Sequence, residues 1–321
     1  KMNNNNNNDN NNNNADDKLL HTVWSDWAKY RRSIYKQLKI NNTEELVNLL
    51  KNLRITYKNF LSLLRELDIE IDKAEAFDII IRNHNITTIT VFDERYPRRL
   101  LNMKNITESI YPPLLLYMIS NYSINMNSDN IIAVVGTRRS SEKGKEIAYN
   151  IGKALSKKYI IATGLAQGID YSATLGTLDV EGKVIQVRPY IYPIDYAQRE
   201  LLNRIVNNGC IISENLMKIN GYRWVAKQLY LRNRIIASIA KAVVIVEARY
   251  DNNSGTMHQI EFAIKRGKPV FIWRPSSNDY EFIKAYEYYI NNNNAKGFND
   301  IDELISMLES LDHQHLYQQR I

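Results

Sequence analysis

Residues 131–141 read Ile-Ile-Ala-Val-Val-Gly-Thr-Arg-Arg-Ser-Ser, five apolar positions followed at once by a small-residue turn that carries two arginines. An apolar run without polar alternation is the mark of a strand covered on both faces, the situation in parallel sheets flanked by helices. Ala242–Glu247, Ala-Val-Val-Ile-Val-Glu, has the same character. Around these two, strand candidates Tyr159–Thr163, Lys183–Arg188, Cys210–Ser213 and Pro269–Trp273 alternate with helical patterns near 141–157, 169–179, 197–207, 222–240 and 256–266. This alternation predicts an α/β fold over 131–275, a doubly wound, mostly parallel Rossmann-like sheet.

Working outward, 19–82 read as a small N-terminal helical bundle. Asn42 and Glu45 form a capping pair, and Leu46, Leu49, Leu50 and Leu53 follow at helical spacing. Phe60, Leu63, Leu64 and Leu67 make a second stripe, and Ala76, Phe77, Ile80 and Ile81 a third. Residues 83–130 read as an extended connector leading into the sheet, with extended runs at Ile86–Phe92 and Pro113–Ile119 and a polar stretch at 121–130. After 276 two helices are expected, at 279–290 and 300–311, the first with Phe282, Ile283, Tyr286 and Ile290 toward the core. The Asn-rich residues 1–18 have too little apolar surface to offset chain entropy and read as a disordered tail.

Composition narrows the classes further. The 321 residues include one cysteine, Cys210, which excludes a disulfide scaffold and Cys-based metal sites and favours a reducing, cytoplasmic setting. Cys210 falls within a strand and reads as a small core residue. No apolar run approaches the roughly 18 residues that a membrane span needs, and no signal peptide is legible at the start. The formal charge of +7 is unevenly placed: residues 131–270 hold 21 Lys plus Arg against 11 Asp plus Glu, a balance of +10, which leaves −3 for the remainder. A basic sheet domain points to a polyanionic partner.

In a doubly wound sheet, ligands bind where the carboxyl ends of the strands run into helix N-termini. Three loops occupy such places: Gly136, Thr137, Arg138, Arg139 and Ser141 after the first of these strands; Gly164, Gln167, Gly168 and Asp170 after the second; Ser254, Gly255 and Thr256 after the fifth. Each alone is readable as a tight turn whose glycines serve geometry. Together, with two arginines uncancelled by acidic neighbours, they describe an anion site. The P-loop pattern GxxxxGK[ST] is absent, and Gly164-x-x-x-Gly168 does not fit the dinucleotide fingerprint, so neither a nucleotide-hydrolysing P-loop nor a bound cofactor is expected. Of the five histidines only His258 is near enough to a loop to reach the site. In Tyr230–Ala237, Arg232 and Arg234 point some 200° apart on a regular helix, so if one faces the ligand the other anchors structure; Arg232 is the choice for the ligand, beside Asn233.

In order and spacing these residues resemble the DNA-processing protein A family, DprA/Smf. The resemblance rests on Gly136/Thr137/Arg138/Ser141, Gly164–Asp170, Ser213-Glu214, Arg232–Ala237 and Ser254-Gly255-Thr256, and extends over about residues 86–275 with Tyr96-Pro97, Pro112-Pro113 and Tyr192-Pro193. It implies a non-enzymatic protein that binds single-stranded DNA, protects it and loads a RecA-type recombinase, acting as a homodimer in DNA uptake and recombination. Departures stand at Gln167, where the family usually has Arg, and Thr174, where it has His; a Gly-rich stretch is replaced by Arg188-Pro189-Tyr190, with Arg188 a substitute cation. The winged-helix domain of some members is not expected after the last two helices. An alternative resemblance is to the LOG group of nucleotide N-glycosidic hydrolases, whose carboxylate would fall at Gln259 here, with Glu261 two residues beyond. A nucleotide sensor that keeps the pocket without DNA function is a further alternative.

Overall fold

The computed structural model describes residues 18–52, 54–67, 69, 74–102, 107, 110–194, 196–219, 221–251, 254–275, 280–292 and 294–318. The Asn-rich tail, Leu53, and Asn252 and Asn253 lie outside the described residues, except that Lys18 already belongs to the first helix. The N-terminal part contains helices α1 (18–25), α2 (Trp27–Leu38), α3 (Thr43–Lys51), α4 (Tyr57–Glu66) and α5 (Ala74–Asn83). At the start of α3 the Asn42 side chain accepts from the Glu45 N–H at 3.0 Å and the Glu45 carboxylate accepts from the Asn41 N–H at 2.9 Å, a reciprocal cap. These helices have no core of their own. Val23, Ile34, Leu46, Phe60 and Leu64 join one continuous buried cluster with residues of the sheet.

All six strands expected between 131 and 275 form: β3 (Ile131–Val135), β4 (Ile160–Thr163), β5 (Val184–Val187), β6 (Gly209–Ser213), β7 (Ala242–Ile245) and β8 (Val270–Trp273). The sheet is larger than the sequence suggests. β1 (Thr87–Thr90) and β2 (Leu115–Ile119), expected as parts of a connector, pair antiparallel with each other, and β2 pairs antiparallel with β6. At the opposite edge β9 (Lys296–Phe298), three residues with no strand signal of their own, pairs parallel with β8. The order is β1-β2-β6-β5-β4-β3-β7-β8-β9, and the seven strands from β6 to β9 in this order are mutually parallel. The chain runs outward from β3 through β6, then returns to the other side of β3 for β7 to β9, so the winding reverses between β3 and β7.

The unalternated strand β3 has the two-sided burial that its composition demands. Ile131, Ala133 and Val135 face one apolar cluster, and Ile132 and Val134 face the other. The second cluster contains residues of α6 (Glu142–Leu155), α7 (Ile169–Leu178) and α12 (Ile301–Gln318); the first takes α8 (Arg199–Asn208), α9 (Tyr222–Ile239), α10 (Gly255–Lys265), α11 (Tyr280–Asn291) and the N-terminal helices. Helix α11 turns Phe282, Ala285 and Tyr289 inward, rather than Ile283, Tyr286 and Ile290, which stay half-buried. Cys210 is buried in β6, and burial pushes its thiol up to about 12. Among the described residues no helix is long and apolar enough to cross a membrane.

One buried ion pair joins the N-terminal part to the sheet. Arg234 of α9 donates from its two terminal nitrogens to the two oxygens of Glu214, at 2.7 and 2.6 Å, and from Nε to the Tyr111 carbonyl at 2.9 Å. The Glu214 carbonyl accepts the Trp24 indole N–H at 3.1 Å. Both charged side chains are nearly sealed from solvent. Removing one partner leaves the other charged and buried, whereas removing both does not. Glu214→Ala is therefore expected to lower stability to urea by about 3–5 kcal/mol, and the Glu214→Leu, Arg234→Met double variant to recover most of that loss.

Candidate functional site

The reversal between β3 and β7 places their two following loops side by side at the carboxyl edge of the sheet, where α/β proteins open a crevice. A cleft of about 580 Å³ lies there. Gly136, Thr137, Arg138 and Arg139 form one wall, Ser254, Gly255 and Thr256 another, and Arg232, Asn233 and Tyr230 of α9 close the third. A second cleft of about 280 Å³ adjoins it, bounded by Gly164, Gln167, Gln186 and Arg188. Arg138, Ala166, Leu229 and Arg232 line both. The two spaces are halves of one groove divided by a pair of arginines.

Asp170, buried in the first turn of α7, holds the loops in place. Its carboxylate accepts the Gly136 N–H and the Gly164 N–H, each at 3.1 Å, so a single side chain ties the loop after β3 to the loop after β4. Burial raises its pKa, against the pull of Arg232 and of the donated N–H groups. The loop after β4 takes the left-handed conformation at Leu165 and at Gly168, where a Cβ would come within 2.7 Å of the Thr137 carbonyl. Gly164 is needed for another reason: a Cβ there would lie 1.5 Å from an Arg232 guanidinium nitrogen. The glycine is the space in which Arg232 lies.

Arg232 is 6% exposed and donates to the Val187 carbonyl at 2.9 Å. Burial foremost, with Arg138 and Arg188 adding to it and Asp170 opposing, lowers its pKa to about 10, which still leaves it a cation at neutral pH. Arg138, at the divide with Arg232, and Arg188, on the smaller cleft, thus share one field with it. Asn233 donates to the Gly255 carbonyl at 3.2 Å and fixes the start of α10 against α9.

Some expected site residues serve structure instead. Arg234 does not reach the groove, because its two-residue offset from Arg232 turns it to Glu214 on the other side of α9. Ser141 caps α6, accepting the Gly144 N–H at 2.9 Å, and gives its own N–H and hydroxyl to Glu247 at 2.8 and 2.6 Å. Asp170 is an anchor beneath the loops as well as part of the cleft wall. Thr174 is fully buried and bonds the Asp170 carbonyl within its own helix, so the departure at that position lies away from the groove. Other residues of the cleft escape sequence reasoning: Tyr222 and Arg249 line it, as does Gln259, noted in the sequence only as the position of the hydrolase carboxylate. His258 lines it too, edge-on to Tyr230 with ring centroids 4.9 Å apart. Glu261, the carboxylate of the hydrolase alternative, is not part of the cleft wall; it is half exposed, 3.9 Å from His258. Among the described residues no group of His, Cys, Asp and Glu is placed to hold a metal.

The fold and site define a doubly wound α/β protein with a cationic, two-part groove at its topological switch point. Comparison with known proteins gives the family. Residues 87–309 match the sequence profile of DNA recombination-mediator protein A, and the chain belongs to that DprA/Smf family. It is 27% identical over 196 residues to the DNA processing protein DprA of Bacillus subtilis, covering 59% of this chain and 61% of the relative. It is 31% identical over 200 residues to the protein Smf of Synechocystis, covering 60% and 47%. The chain thus spans about half to three fifths of the length of these relatives. The crystal structure of DprA from Streptococcus pneumoniae superposes with a TM-score of 0.62 at 23% identity, over 90% of this chain and 95% of that one. DNA processing protein A from Helicobacter pylori, a structure described by its single-stranded DNA binding mode, superposes with a TM-score of 0.57 at 23% identity, over 70% and 96%.

If Asp170 clamps the two loops, Asp170→Asn leaves one of the two N–H groups without an acceptor. It is expected to cost about 1.5–3 kcal/mol of stability in urea unfolding.

Proposed function

We propose that this chain binds single-stranded DNA along the two-part groove, with phosphates drawn to Arg138, Arg188 and Arg232. The observation that carries this reading is the clustering of those three arginines, Arg138 and Arg232 at the divide between the clefts and Arg188 on the smaller one, on a sheet domain whose charge excess is +10 between 131 and 270. An open groove that continues past a cationic ridge suits a strand that enters and leaves. Gly136, Thr137 and Arg139 supply the wall beside that ridge, Gln167 and Gly168 belong to the loop under the smaller cleft, and Ser254, Gly255 and Thr256 line the larger cleft at the start of α10, where the N–H groups of Gly255 and Thr256 open the helix. Membership in a family of recombination mediators supports a role in the cytoplasm in which the DNA-bound protein, as a homodimer, delivers the strand to a RecA-type recombinase without catalysing a reaction itself.

The test is electrostatic. Binding to single strands releases counterions in proportion to the phosphates neutralised, with a slope of log K against log salt of about −0.7 per phosphate. Arg138→Ala is expected to weaken binding of a labelled oligonucleotide for every base composition and to flatten that slope by about 0.7. A variant lacking both Arg138 and Arg232 that binds as the natural chain does, at every salt concentration, overturns the assignment.

A further inference from the structure

The parallel strands present their amino ends at the edge opposite the groove, and cations gather there a second time. Lys241 precedes β7 and Lys268 precedes β8, and the pairing of Val243 with Val270 sets the two lysines level on neighbouring strands. Arg99, on the 3-10 turn Arg98–Asn102, reaches the same edge. It donates to the Ser128 carbonyl at 2.6 Å and to the Ile239 carbonyl, at the end of α9, at 3.3 Å. Arg266, just past the end of α10, is buried and donates to the Phe262 carbonyl at 3.1 Å.

The carboxylates at this edge are already engaged. Asp312 of α12 pairs with Lys241 through one oxygen, and its other oxygen takes Lys158 at 2.9 Å and the Tyr159 hydroxyl at 3.2 Å. Asp129, exposed on the loop before β3, pairs with Arg99. Lys268 is half-buried, and its ammonium makes no ion pair or hydrogen bond among the described residues. The carbonyls that end α10 are engaged as well: Ala263 takes the Arg266 and Lys268 N–H groups, and Ile264 takes that of Gly267. Burial foremost, then Arg99 and Arg266, lowers the Lys268 ammonium to about 8 against the opposing effect of Asp129, so at pH 7 it is still mostly a cation. A cation held among like charges and away from water is costly unless an anion joins it.

We propose that Lys268, with Arg99 beside it, forms a second anion site at the amino edge of the sheet and that this site takes a phosphate group. A phosphate has oxygens enough to meet an ammonium and the edge of a guanidinium at once, and both residue types bind it through charge-assisted hydrogen bonds. Lys241 adds to the positive field, since Arg99 and Asp129 both act on it. The group comes either from free phosphate or from a nucleic-acid backbone, and the chemistry of the site is the same for both. The site lies at the far edge of the sheet from the arginine ridge, and the inference does not depend on the single-strand reading of the groove.

The experiment titrates inorganic phosphate into the full chain at pH 7 and constant ionic strength, with the backbone amide signals of Asn130, Gly267 and Lys268 followed by NMR. Saturable shifts are expected in the natural chain. Lys268→Met is expected to weaken them about tenfold, Lys268→Arg to keep them, and Arg138→Ala, in the groove, to leave them unchanged. Lys268→Met removes a half-buried charge, so its thermal midpoint should not fall. A labelled oligonucleotide separates the two sources: a strand phosphate at this site makes Lys268→Met flatten the salt slope by about 0.7, whereas an unchanged slope beside saturable phosphate shifts assigns the site to free phosphate. Phosphate shifts equal in the natural chain and Lys268→Met, or no shifts together with an unchanged slope, overturn the site and leave the reading of the groove as it stands.

Discussion

Asp170 accepts N–H groups from Gly136 and Gly164 while Arg232 lies within its field, and the groove follows from that arrangement. Loops at the carboxyl edge of a parallel sheet have no ladder partners of their own. Their backbone donors must find acceptors, and a carboxylate buried beneath them can satisfy two at once. Meeting that need fixes the distance between the loop after β3 and the loop after β4, and with it the width of the groove. Gly164 then leaves just the room that the Arg232 guanidinium fills.

The same carboxylate helps to keep Arg232 charged. A guanidinium buried without compensation would be costly, and burial does lower its pKa, as do Arg138 and Arg188. Asp170 offsets part of that on the inner side, so the buried Arg232 keeps its charge beside the exposed Arg138 and the half-buried Arg188. The internal carboxylates Glu247 and Asp170 thus have two effects: each satisfies loop donors, and each occupies anion-attracting positions that a phosphate would otherwise use. What remains in the groove for an external anion is the arginine ridge and the start of α10. The arginine at 234 takes no part, because its charge is spent on Glu214 in holding α9 to the loop after β6 and, through the Tyr111 carbonyl, to the segment before β2.

Much of the fold was legible because two-sided burial imposes a composition. Ile131–Val135 and Ala242–Ile245 have no polar position, and no other common arrangement than a helix-covered parallel strand accepts such a run. β9 was illegible for the converse reason: Lys296–Phe298 is too short to show a period, and it pairs because the edge of β8 is open to it. β1 and β2 were legible as extended chain but not as members of the sheet, since edge pairing is a long-range choice. In the site, glycines and arginines announced themselves by type. Gln259 and Glu247 did not, for a glutamine at a helix start or a glutamate after a strand has many ordinary uses.

The sequence by itself determined the alternation of strand and helix, the loops that stand at the carboxyl ends of the strands, and the basic charge of that domain, because burial and net charge are properties of composition and order. It also determined that Arg232 and Arg234 must part company, since 100° per residue allows nothing else. Which of them faces the groove was settled only in three dimensions, by Glu214 lying on one side of α9 and Gly164 on the other. The tertiary structure alone decided that two carboxylates close two of the helix ends and that Lys268 stands beside Arg99 with no carboxylate of its own. Those outcomes depend on which distant side chains fill the same few ångströms, and no local pattern in a chain records that.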